Sequence, residues 1–136
     1  MRNKERILMV DDDFLPSQYY VQALQDAGFD VAFFSDVDKA IEAANLSQFN
    51  AAIIDLMIPA GHILSAEETH GGYRTGVSLA RRLRTLHPHT RFVILTNAAE
   101  EPDVRQWCDA HDVKYLRKSS VGPIELARLG QKERCH

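Results

Sequence analysis

The sequence predicts an α/β fold, a doubly wound five-stranded parallel sheet. Three observations carry the prediction. Five short apolar runs alternate with five stretches of helical period along the whole chain. The runs are apolar throughout, the pattern of strands buried on both faces. Helix-start and helix-stop residues stand between them, and short connections with right-handed crossovers then make the sheet parallel, with helices on both sides.

Each element follows in order. "RILMVD" (6–11) is the first strand. Pro16 suits the first turn of the helix that follows, Gly28 closes it as a left-handed cap, and Tyr20, Val21, Leu24 and Ala27 share a face. "DVAFF" (30–34) is the second strand, and Ser35 can cap a helix with Val37, Ala40, Ile41 and Ala44 inward. "AAIID" (51–55) is the third. After a long connection Thr75 is expected to cap a helix that turns Gly76, Leu79, Ala80 and Leu83 inward. "RFVILT" (91–96) is the fourth strand, and a helix near 100–110 buries Val104, Trp107 and Cys108. "VKYLRK" (113–118) is the fifth, and Pro123 opens a last short helix weakened at Gly130.

The 136 residues fit one domain, 1–136, with 45% hydrophobic and 26% charged residues, an ordinary globular balance. A net charge of -3 gives no basic field for nucleic acid and no polybasic membrane patch. Cys108 and Cys135 are too few for a disulfide framework and read as reduced thiols of a cytoplasmic protein. No segment has the length of a signal peptide or a membrane span. His87, His89, His111 and His136 read as surface or turn positions.

In such sheets the site lies at the carboxyl ends of the strands. There stand Asp11, Asp12 and Asp13 after the first strand, Asp55 after the third, Thr96 on the fourth and Lys118 on the fifth. Singly, each has an ordinary explanation: an Asp as turn former, a Thr as strand former, a Lys in solvent. Together they do not. Clustered carboxylates repel unless a cation lies between them, and hard oxygen ligands suit Mg²⁺. Mg²⁺ with a lysine and a hydroxyl makes a clamp for a phosphoryl group, and a carboxylate facing that clamp can act as its nucleophile.

The segments "ILMVDDD", "IIDLMIP", "FVILTN" and "KYLRKS", in this order, resemble the receiver domain of bacterial two-component response regulators. The resemblance covers nearly the whole chain. It implies a flavodoxin-like strand order 2-1-3-4-5. It implies Asp55 as phosphoacceptor, and Asp11, Asp12 and the Met57 backbone carbonyl as Mg²⁺ ligands beside Asp55, with Asp12 the more direct of the acidic pair. Thr96 and Lys118 match the residues that contact the phosphoryl group. Tyr115 matches an aromatic whose rotamer follows the threonine, and reads equally as a half-buried strand aromatic. The implied partners are a histidine kinase or phosphotransfer protein upstream, and a protein target or output domain downstream.

Three features depart from the pattern. Ser119 follows Lys118 where the family has Pro, so a trans or strained bond is expected there. Asn97 follows Thr96 where the family has a small residue, and its amide would narrow access to the phosphoryl site or bond to it. An insertion of about 13 residues lengthens the loop after the third strand, over about 60–74. It carries His62, Glu67, Glu68, His70 and Arg74. A flexible solvated loop is the first reading, a lid or partner contact the second, and a zinc site the third, without the usual ligand spacing.

Two other functions compete. A haloacid-dehalogenase-like phosphatase would use Asp11 and Asp13 in D-x-D spacing, but leaves Asp55 idle. A receiver-like adaptor independent of phosphorylation would not need the full acidic, Thr and Lys set. The chain is expected to be either a stand-alone regulator or the receiver portion of a longer protein.

Overall fold

A computed structural model describes residues 4–98 and 101–134. Its elements are β1 (Arg6–Val10), α1 (Phe14–Asp26), β2 (Asp30–Phe34), α2 (Val37–Leu46), β3 (Ala51–Ile54), α3 (Thr75–Leu86), β4 (Arg91–Thr96), α4 (Pro102–Ala110), β5 (Lys114–Arg117) and α5 (Pro123–Arg134). All strand pairs are parallel, in the order β2-β1-β3-β4-β5. This is the predicted fold and strand order.

Strand alternation divides the core in two. Ile7 and Met9 of β1 face one side with Ile53 and Leu95, where Tyr20 and Leu24 of α1 and Leu126 of α5 cover them. Leu8 and Val10 face the other side with Ile54 and Ile94, under Ile41 of α2, Leu79 and Leu83 of α3, and Val104 and Cys108 of α4. Both faces are therefore buried, which is why the strands carry no polar alternation.

Helix ends are where the structure departs from the sequence reading. Gly28 does close α1: its φ is 98°, and the amides of Gly28 and Phe29 bond to the carbonyls of Gln25 and Leu24, a Schellman motif. At α2 the cap is Asp36, not Ser35, because the Asp36 carboxylate accepts from the Lys39 amide at 3.1 Å. Thr75 does not cap α3. It is the first helical residue, fully buried, and its hydroxyl makes no hydrogen bond. α5 runs through Gly130 to Arg134. Gly130 admits the Phe29 ring, whose Cζ lies 3.0 Å from where a Cβ would stand.

His87 is also reassigned, from surface to interior. It is buried, its Nε2 donates to the Ala44 carbonyl at 2.6 Å, and its Nδ1 lies 3.1 Å from the Gln48 side chain. It joins the ends of α2 and α3. Cys108 is buried and free, and burial pushes its thiol up to about 11, so it stays protonated. Cys135 and His136 lie outside the described residues. Among the described residues no helix is long and apolar enough to cross a membrane.

Candidate functional site

The backbone ladder sets the site. The Asp55 amide donates to the Val10 carbonyl at 2.9 Å, and the Lys118 amide donates to the Thr96 carbonyl at 2.9 Å. Each bond continues a strand pair by one residue. The order β1-β3-β4-β5 then sets Asp11, Asp55, Thr96 and Lys118 side by side along one edge of the sheet.

The side chains converge on that edge. Lys118 Nζ donates to Asp11 Oδ2 at 2.5 Å and lies 3.6 Å from Asp55 Oδ2. All three are nearly buried, with side-chain exposures of 10%, 2% and 11% for Lys118, Asp11 and Asp55. Asp11 Oδ1 accepts from the Asp13 amide at 2.9 Å, which holds the acidic turn in place. Asp12 is exposed, yet one carboxylate oxygen from each of Asp11, Asp12 and Asp55 lies within 4.8 Å of the others. Asp13 is exposed and outside this cluster.

The electrostatics follow from burial. Desolvation raises the Asp55 pKa, Lys118 pulls it back, and Asp11 raises it again. The Thr96 hydroxyl and Met57 amide favour its charged form, and the net result is above the ordinary carboxylate value. Burial disfavours the charged Lys118 too, but the Asp11 bond and the charges of Asp55 and Asp11 outweigh it, leaving its pKa raised. Asp55 Oδ1 is buried without a hydrogen-bond partner. A buried orphan acceptor among three carboxylates is a position that a cation satisfies, and the all-oxygen donor set fits Mg²⁺.

Residues 7–129 match the response regulator receiver domain. The chain belongs to that family. It is 26% identical over 129 residues to the transcriptional regulatory protein CseB of Streptomyces avermitilis, covering 95% of this chain but 49% of that protein. The receiver thus spans about half the length of that relative. A CheY-like receiver domain from Methanospirillum hungatei JF-1 superposes with a TM-score of 0.76 at 22% identity, covering 96% of this chain and 94% of the other. A response regulator from Burkholderia pseudomallei, solved with a phosphorylated aspartic acid, a calcium ion and citrate, has a TM-score of 0.65 at 26% identity. That match covers 85% of this chain and 60% of the other. Receivers are phosphorylation-controlled signalling modules, and no similarity supports the phosphatase.

The remaining predicted residues take definite places in this receiver. Thr96 is buried, and its hydroxyl accepts from the Ala98 amide at 3.1 Å. Met57 lies two residues beyond Asp55 and is 40% exposed. Tyr115 is half-buried against the α2–α4 side of the core, with its hydroxyl oxygen inside. Asn97 and Ser119 are exposed, and the bond before Ser119 is trans.

The insertion is not an open loop. The amides of His62 and Ile63 donate to the Asp38 carboxylate of α2 at 2.8 and 3.0 Å, which lowers the Asp38 pKa. Leu64 is buried in the core while Ile63 stays exposed. Ser65 and Glu68 form a reciprocal capping box, with Ser65 Oγ accepting from the Glu68 amide at 3.0 Å and Glu68 Oε1 from the Ser65 amide at 2.8 Å. The Ser78 hydroxyl of α3 donates to the Glu68 carbonyl. Among the described residues the loop acids and histidines form no metal-ligand cluster. The sequence signal for this order is "SAEE", an S-x-x-E capping box.

Proposed function

We propose that Asp55 accepts a phosphoryl group from the phosphohistidine of a histidine kinase or phosphotransfer protein, and that the acyl phosphate switches protein contacts. The observation that carries this is the nearly buried triad of Asp11, Asp55 and Lys118, with Asp12 at its mouth. An Asp55 oxygen attacks phosphorus as the phosphorus–nitrogen bond breaks, and the imidazole, protonated on its other ring nitrogen, takes the bond's electron pair and leaves neutral. Lys118, 3.6 Å from Asp55, keeps it ionised and balances charge on the transferred oxygens. Asp11, Asp12, Asp55 and the Met57 carbonyl would hold Mg²⁺, which when bound adds positive charge at the phosphoryl oxygens. The Thr96 hydroxyl, now bonded to the Ala98 amide, turns to the phosphoryl group, and the Tyr115 rotamer follows that shift.

The added charge shifts a two-state equilibrium at the α4, β5 and α5 surface, where a downstream protein target or an output domain binds. We read residues 1–136 as a single receiver acting in the cytoplasm, in contact with neither nucleic acid nor membrane. The phosphorylated aspartic acid of the Burkholderia pseudomallei relative supports the chemistry.

The test is incubation with Mg²⁺ and acetyl phosphate, read by intact mass. The wild type gains one acid-stable, base-labile phosphate and Asp55→Ala gains none. A wild type that stays unlabelled returns the chain to the phosphorylation-independent adaptor.

A further inference from the structure

We infer that Arg74, the last residue of the insertion, is a positioning residue that braces the rim of the phosphorylation site in its unmodified arrangement. The inference rests on the phosphoacceptor reading of Asp55 and adds a restraint that opposes the switch.

Arg74 is carried on a fixed piece of the site. Two residues on, the Gly76 amide donates to the Leu56 carbonyl at 2.8 Å. A Cβ on Gly76 would lie 2.7 Å from Leu56 Cα, so the start of α3 rests directly on the chain that presents Asp55. The Arg74 amide is tied back to the Thr69 carbonyl at 2.8 Å, within the folded insertion.

From this anchor the guanidinium reaches across to the next loop. Its Nη2 donates to Glu101 Oε2 at 2.9 Å, and its Nη1 pairs with Asp103 Oδ2. Glu101 is the cap position of α4 and Asp103 lies in its first turn. Arg74 holds the Asp103 carboxyl below its ordinary value, chiefly through their hydrogen bond. One planar fork thus joins two carboxylates, the geometry in which arginine is not replaced by lysine without loss.

The two ends of the brace matter. One is fixed to the Leu56 carbonyl, next in the chain to Asp55. The other is fixed to the chain leaving Thr96, whose hydroxyl holds that same chain through Ala98. If Thr96 and the start of α4 move away from the Asp55 chain on phosphorylation, the fork opens and its two ion pairs are lost in the switched state. Arg74 therefore favours the unmodified state, and the insertion sets how readily the receiver switches.

The test uses the Thr96 and Tyr115 amide resonances, in the unmodified protein and with Mg²⁺ and beryllofluoride. Arg74→Met is expected to move the unmodified resonances toward the beryllofluoride-bound positions, a rise of about threefold to fivefold in the switched population, as for partly exposed ion pairs. Glu101→Gln with Asp103→Asn should give the same displacement from the other side, and Arg74→Lys a smaller one. These signals report the switch itself and do not follow from lost charge at the anion site. Unmoved resonances in both variants, or a move away from the bound positions, overturn the brace alone. A wild type that does not respond to beryllofluoride overturns the phosphoacceptor reading, and the brace with it.

Discussion

Gly76→Ala probes how the insertion joins the site, and its cost follows from the packing. The new Cβ would stand 2.7 Å from Leu56 Cα and closer still to the Asp55 carbonyl oxygen. Carbon atoms rest at about 3.5–4.0 Å, so α3 has to withdraw by about 1 Å. The obstacles are backbone atoms and cannot swing aside. Overpacking of this kind costs about 1–3 kcal/mol, and the upper end applies here. The bond from the Gly76 amide to Leu56 is stretched as well, worth about 1 kcal/mol. Alanine returns about 1 kcal/mol of helix propensity. The net expectation is a loss of about 3 kcal/mol by urea unfolding, with labelling by acetyl phosphate slowed because the Asp55 backbone is displaced. Gly71→Ala is the control. Gly71 has φ 67° with nothing within 4 Å of a Cβ, so only its left-handed backbone is penalised, by about 1–2 kcal/mol, and labelling is unchanged. A Gly76→Ala protein as stable as the parent would refute the close approach of α3 to Asp55.

Leu64→Ala should cost about 2–4 kcal/mol in a denaturant melt, because Leu64 is 3% exposed in the core; a loss under about 0.5 kcal/mol would mean the insertion is not docked. Asp55→Asn should stabilise the metal-free protein at neutral pH. Burial raises the folded Asp55 pKa above its unfolded value, so the folded state binds the proton more tightly and stability falls as pH rises through that interval. Melts with chelator from about pH 3 to about pH 7 should show the asparagine advantage above the interval and none below it. An advantage that grows toward low pH contradicts the sign.

The strands and the rim were legible because both rest on strong local signals. Apolar runs such as "RILMV" have few alternatives to a buried strand, and their polar ends fall at the edge of the sheet once the order is known. Helix ends were less legible. Asp36 and Ser35 are both good caps, and only the backbone at α2 decides between them. His87 is polar and follows a helix, yet its two ring nitrogens find Ala44 and Gln48 more than 35 residues away in sequence, with no local trace. The insertion carries one local signal, the Ser65–Glu68 capping box, but what docks it comes from distant partners. Asp38 on α2 and Glu101 and Asp103 at α4 hold it, and no window containing 60–74 includes them.

The central claim is that Asp55, and not its acidic neighbours, becomes the acyl phosphate. Borohydride reduces an aspartyl phosphate to homoserine. Receiver labelled with acetyl phosphate and Mg²⁺, reduced and digested, should yield homoserine at position 55 by peptide mass spectrometry, with Lys118→Met reducing the yield. Homoserine at Asp11, Asp12 or Asp13, or at no position in a protein that has gained a phosphate, would contradict the account.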